Sequence, residues 1–261
     1  MLQSPILTAV RYIQPFRQGG SVPALVEADD GELYVLKFHA AAQGRRALIA
    51  ELLAGEIGRA LGLRIPELAL VQVAPNFGMG EAHQEIREML NASSGLNLGM
   101  RFLPDSLEYS PLLKPPPSPD EAAAVVWFDA FVTNVDRTLR NVNILLHERR
   151  LWLIDHGAAL FFHHNPKWLL QPERALTPFA LVKDHALLPF AGSIDEIDGE
   201  MKSRLSGEFF GELVDRVPDD WLVDGNGAAE LRTGYTRWLT DRLAASEVFV
   251  DEAEHARSRT L

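Results

Sequence analysis

Asp136, Asn141 and Asp155 are the side chains of this sequence best arranged for chemistry. They stand in the runs Thr133-Asn134-Val135-Asp136-Arg137-Thr138-Leu139-Arg140-Asn141 and Leu153-Ile154-Asp155-His156-Gly157. An Asp, an Asn five positions later and an Asp-x-Gly closing an apolar run can provide a base beside a hydroxyl and two oxygen ligands for Mg²⁺. Phosphoryl transfer from a Mg-nucleotide needs such a set. Either motif alone is common, and Asp-x-Gly is ordinary turn chemistry. Their order, with a hairpin between them and a buried helix before them, makes the pair specific. Asn143 competes with Asn141, and the spacing decides for Asn141.

The elements around them must then hold these groups. Ser118, Pro119 and Glu121 read as a capping box with proline at the first helical position, so a helix runs from there to about Asn134. Val125, Val126, Trp127, Phe128, Phe131 and Val132 make it apolar on most sides, and the three aromatic residues are core. The runs 144–146 and 151–154 read as a hairpin turning at Glu148-Arg149-Arg150, with Asp155 at its end. A helix is expected over 196–216 and another over 227–245, with loops from 165 and a fraying tail from Glu252.

Upstream, residues 11–38 read as an antiparallel meander bending at Gly19-Gly20-Ser21 and at Asp29-Asp30-Gly31. In the run 33–38, Tyr34, Leu36 and Phe38 share one face, and Val35 and Lys37 the other. The stretch 45–61 carries the stripe Ile49, Leu52, Leu53, Ile57 and Leu61 and stops at Gly62, which predicts a helix. A strand pair is expected near 68–73 and 85–90, followed by a polar, glycine-rich stretch over 91–106. Lys114-Pro115-Pro116-Pro117 reads as a stiff linker. The order of sheet, helix, proline-rich joint and helices implies two unlike lobes, 1–103 and 104–261, with a ligand cleft between them.

Lys37 can pair with the α- and β-phosphates of a nucleotide, and an acid on the 45–61 helix can hold that lysine. Glu51 and Glu56 both qualify by helical position. The Gly19-Gly20-Ser21 bend can turn backbone N–H groups toward phosphate, and Ser21 is a phosphate contact, an autophosphorylation site or a plain turn residue. Arg137 reads as a structural ion-pair partner, and Arg140 as a second candidate phosphate contact. His156, His163 and His164 invite a zinc reading, but their spacing fits no familiar ligand pattern.

Composition excludes several classes. The formal charge is −11 and the basic residues are scattered, which argues against a nucleic-acid partner. There is no cysteine, hence no disulfide or thiolate metal site. No apolar run approaches the ~20 residues of a membrane helix, and Met-Leu-Gln-Ser-Pro does not resemble a signal peptide. A cytoplasmic protein without a membrane partner is the expectation.

The run Asn134-x-Asp136-Arg137-x-x-x-Asn141 resembles the catalytic loop of HipA-like kinases and is similar to that of the phosphatidylinositol and related atypical kinases. Ile154-Asp155-His156-Gly157 looks like their Asp-Phe-Gly-type metal motif, and Val35-Leu36-Lys37 like their strand lysine. The helix ending in Leu61-Gly62-Leu63-x-Ile65-Pro66 resembles the one after that strand, which favours Glu51 over Glu56. The resemblance implies an α+β, two-lobed protein-kinase-like fold with a small antiparallel-sheet lobe and a mostly helical lobe. It implies ATP and Mg²⁺ as cofactors, with Asp136 orienting the acceptor and Asn141 and Asp155 as metal ligands. Lys37, Glu51, Gly19, Gly20 and Ser21 would lie on the phosphates, and residues 99–105 would form a hinge beside the adenine. A Ser/Thr hydroxyl on a protein is the implied acceptor. The alternatives are a small-molecule kinase of the aminoglycoside type and a nucleotide-binding pseudokinase acting as an interaction module. The chain departs from ordinary protein kinases at Val135, Thr138 and His156, and it has no Ala-Pro-Glu segment.

Overall fold

The alternation at 33–38 becomes one stave of a barrel. The computed structural model describes residues 6–16, 22–41, 44–112, 114–223 and 225–259. Strands β1 (Ile6–Pro15), β2 (Ala24–Ala28), β3 (Leu33–Lys37), β4 (Leu68–Val73) and β5 (Gly95–Arg101) close in the order β1-β2-β3-β5-β4. Tyr34, Leu36 and Phe38 point inward, against Val26, Val71 and Val73. The closing seam pairs β1 with β4 in parallel, and the other pairs are antiparallel. The small antiparallel sheet expected from the sequence is therefore a barrel with one parallel seam, which leaves no edge strand. Gly99 lets β5 sit close to β4, since a Cβ there would lie 2.9 Å from Cγ2 of Val71.

The second strand of the expected 68–73/85–90 pair is misplaced. Residues Gln84–Ala92 form helix α2, and β5 inside the glycine-rich stretch pairs with β4 instead. Ile86, Met89 and Leu90 are spaced for a helix face that covers the barrel core. The polarity of 91–106 hid β5, whose Asn97 is buried because His39 and the carbonyls of Ser93 and Gly95 satisfy its side chain.

Helix α1 (Gly44–Ala60) buries Ile49, Leu52, Leu53 and Ile57. It ends at Gly62, where φ is +82°, and the Leu63 N–H reaches back to the Gly58 carbonyl at 3.0 Å. Helix α3 (Pro119–Phe131) starts at Ser118, whose Oγ accepts from the Glu121 N–H at 3.2 Å. Only half of the capping box forms, because the Glu121 carboxylate pairs with Arg64 instead. Strands β7 (Ile144–His147) and β8 (Arg150–Leu153) make the expected hairpin, and β6 (Leu107–Glu108) adds a third strand.

The single helix expected over 196–216 is two, α4 (Ile194–Ser203) and α5 (Gly207–Asp215), since Ser206 caps a new helix by accepting from the Phe209 N–H at 3.1 Å. Helix α6 covers Ala228–Ala244. The tail does not fray: α7 (Ser246–Ser258) buries Phe249, Val250, Ala253 and Ala256. Its Phe249 ring meets Trp127 of α3 edge-on at 5.4 Å. Apolar positions four apart beat the polarity of that tail. Among the described residues, no helix is long and apolar enough to cross a membrane.

Candidate active site

Lys37 is the last residue of β3, Glu51 lies two turns into α1, and Asp155 follows β8 by two positions. The fold brings the three together. Lys37 Nζ donates to Glu51 Oε2 at 2.5 Å and to Asp155 Oδ1 at 2.6 Å. Burial alone would lower the lysine pKa, but Glu51 and then Asp155 outweigh it and hold the pKa above the ordinary value. Burial pushes Glu51 up, but Lys37 and then His156 outweigh it and hold its carboxyl well below the usual range. Both side chains are thus kept charged in a nearly dry place. Glu56, the rival acid, instead faces Arg216 at 3.3 Å and Arg59 at 3.8 Å. Asp155 has φ of +54°, a left-handed conformation that Asp tolerates better than most residues.

The second group is the loop after α3. Asn141 Nδ2 donates to Asp136 Oδ2 at 2.7 Å, and Asn143 Nδ2 reaches the same oxygen at 3.5 Å. The loop closes on itself through paired backbone bonds between Thr138 and Asn141, at 3.0 and 3.1 Å. Burial lifts the Asp136 pKa above the ordinary value and the Asp155 charge adds to this, against the hydrogen bond from Asn141. Arg137 ties the two groups. Its Nη1 donates to the carbonyls of Asn143 and Ile154, joining the loop to the end of the hairpin. Its Nε donates to Asp129 Oδ2 at 2.6 Å, deep in α3. Asp129 also accepts from Asn134 at 2.8 Å and from His185 Nε2 at 2.9 Å. His185 Nδ1 accepts from the Leu187 N–H at 3.1 Å, which leaves Nε2 as the donor toward Asp129.

A model of the HipA-like kinases matches residues 9–248. The chain belongs to the HipA-like kinase family. It is accordingly a phosphotransferase of kinase type. The fold of this HipA-like kinase is similar to that of the Helicobacter pylori proinflammatory kinase CtkA, with a TM-score of 0.52 at 12% identity, covering 98% of this chain and 99% of that one. A comparison with curated protein sequences finds no match.

Several of the residues that shape the site in this HipA-like kinase are not obvious in its sequence. Asp129 could have been found, since it is the one charged residue between Ala122 and Val135, and a charge in so apolar a helix demands partners. His185 carries no such signal, because it comes from a distant stretch. His156 is wholly buried, its Nδ1 lying 3.4 Å from Glu51 Oε1 and its ring packing edge-on against Phe128 at 5.7 Å, and among the described residues no three His, Asp or Glu side chains are grouped to hold a metal ion. His163 is bonded to Tyr235 instead, at 2.9 Å. Arg140 lies exposed on the loop, its N–H bonded to Thr138 Oγ1 at 3.3 Å. Gly19, Gly20 and Ser21 fall outside the described residues.

Proposed function

We propose that this HipA-like kinase is a two-lobed, Mg·ATP-dependent phosphotransferase that acts on a Ser or Thr hydroxyl of a protein. The observation that carries this reading is Lys37, held between Glu51 of α1 and Asp155 of the metal motif at 2.5 and 2.6 Å. Residues 118 positions apart in sequence meet there as nucleotide phosphate chemistry requires. Residues 1–103 would form one lobe and 104–261 the other, with 99–105 as the hinge beside the adenine.

The donor set suits a hard cation. Asp155 offers a carboxylate, and Asn141, bonded to Asp136 through Nδ2, has its carboxamide oxygen for a ligand. When bound, Mg²⁺ would neutralise charge on the phosphates. Lys37 would bind the α- and β-phosphates with Glu51 keeping it extended, and Gly19, Gly20 and Ser21, outside the described residues, would be further phosphate contacts. Asp136 takes up or orients the acceptor's hydroxyl proton. A peptide acceptor fits the surroundings of the loop: Leu139 is 65% exposed and Phe161 53% exposed. Phe161 adjoins the loop through its N–H to Thr133 Oγ1, at 3.2 Å. A cytoplasmic location belongs to the same reading.

The test is incubation of the chain with γ-labelled ATP, Mg²⁺ and, separately, a protein lysate and a metabolite pool. Label is expected on protein Ser or Thr and should fall by about 10²–10⁴-fold in Asp136→Ala. Label only in the metabolite pool would replace the protein acceptor by a small molecule. Nucleotide binding with no transfer to either pool would favour the pseudokinase.

A further inference from the structure

A cavity of about 510 Å³ opens where α1 begins, between that helix, the residues after β3, the stretch 221–223 and α6. His39, Arg45, Arg46 and His164 line one part of it, and Trp221 and Tyr235 another. Among the described residues no Asp or Glu lines it, although the chain as a whole carries a charge of −11. The site read as catalytic does not include this cavity.

Three observations bear on what it would take. Positive charge comes from Arg45 and Arg46, which both line the cavity; burial and then Arg46 hold His164 below the ordinary imidazole value, and burial, His164 and Arg46 do the same to His163. Next, His163 is wholly buried behind the wall that His164 and Tyr235 form. Its ring is 4.6 Å from that of His164, and its Nδ1 is 2.9 Å from the Tyr235 hydroxyl. Among the described residues its Nε2 has no hydrogen-bond partner, which is uncommon for a buried polar atom. Finally, α1 is a 17-residue helix with no acid in its first turn. The first N–H groups of a helix have no partner within it and carry its positive end.

The geometry points to a binding site for a phosphate group at the start of α1, with Arg45 and Arg46 as its cationic wall and the imidazoles of His39 and His164 beside them. A phosphate suits this wall better than a carboxylate, because guanidinium groups bind its several oxygens in pairs. The aromatic and aliphatic side, with Trp221, Tyr235, Ile49 and Leu231, leaves room for the carbon body of a phosphate ester. Occupation would pin the start of α1 to the helical part of the molecule, on the same helix that carries Glu51.

The test is an NMR titration of the full chain labelled in its histidine imidazoles. Inorganic phosphate and a phosphoserine peptide are added separately, against chloride and the unphosphorylated peptide at matched ionic strength. Saturable shifts of His39 and His164 are expected with phosphate, with about tenfold weaker binding in Arg45→Glu and a smaller loss in Arg45→Lys, which keeps the charge but not the paired donors. Arg45 is exposed, so the variants should fold, and thermal unfolding checks that. A saturable response to the peptide assigns the phosphate to an ester, and a response to inorganic phosphate alone assigns it to the free anion. Shifts that follow ionic strength equally in chloride, or an unchanged affinity in Arg45→Glu, would overturn the site. No nucleotide or acceptor enters the titration, so its outcome is separate from that of the transfer assay.

Discussion

At the scale of single residues, Lys37 and Glu51 do two jobs that mutation can separate. Each is charged in a buried place chiefly because the other is there. Lys37→Met is expected to abolish productive nucleotide binding and also to destabilise the protein by about 3 kcal/mol, since it strands the Glu51 carboxylate. Adding Glu51→Gln should restore much of that stability and none of the activity. Urea unfolding and the transfer assay, run on the single and double variants, check this. Full transfer by Lys37→Met would remove the lysine from the mechanism. Asp155→Ala and Asn141→Ala should each weaken Mg-dependent nucleotide binding, measured by calorimetry with and without the ion.

At the scale of elements, α3 and the loop after it are held by one buried node. Asp129 receives Arg137, Asn134 and His185, and Arg137 passes on to the backbone at Asn143 and Ile154. Burial raises the Asp129 pKa, but Arg137 and His185 outweigh it, so the folded value lies well below that of the unfolded chain. The resulting stability is fully present above the unfolded value of about 3.9 and is lost as pH falls toward the folded one. Asp129→Asn is therefore expected to cost about 3–5 kcal/mol at pH 7 and to flatten the loss of stability between roughly pH 4 and the acid limit. Thermal melts across that range would show it, and an acid limb as steep as wild type would contradict the assignment. The shape of this loop was only partly legible: Asn134, Arg137 and Asn141 were visible as types at a spacing, but His185, which completes the node, lies on the far side of 3₁₀ turns that no local pattern announces.

At the scale of the whole molecule, the helical part closes on itself and on the barrel. Arg242, buried with no carboxylate partner among the described residues, donates to the carbonyls of Ala130, Phe131, Ala175 and Thr177 and lies over the rings of Trp238 and Phe249. Its pKa is pushed down to about 9 by burial. It thereby caps the end of α3 and staples the segment below it. Arg242→Met should leave these carbonyls unpaired, costing about 3 kcal/mol and lowering Tm by roughly 6–12 °C. An unchanged Tm would show that water satisfies them. Between barrel and helices, Trp221 Nε1 donates to the Leu96 carbonyl at 3.1 Å and Arg216 faces Glu56 at 3.3 Å. These contacts hold α1, and with it Glu51, from the side opposite in sequence.

The sequence by itself determined the local parts: the start of α3 at Ser118, the end of α1 at Gly62, the hairpin before Asp155, and the Asp136–Asn141–Asp155 spacing. Each rests on interactions within a few residues, which spacing and residue type encode directly. Only the tertiary structure decided that β1 pairs with β4 in parallel and that β5 lies in the glycine-rich stretch. It paired Lys37 with Glu51, the acid that the family resemblance favoured and helical position left level with Glu56, and it turned the polar tail into a packed helix. Those outcomes depend on which distant surface each segment meets. Burying an apolar face or pairing a charge across more than a hundred residues leaves no periodic trace in the chain.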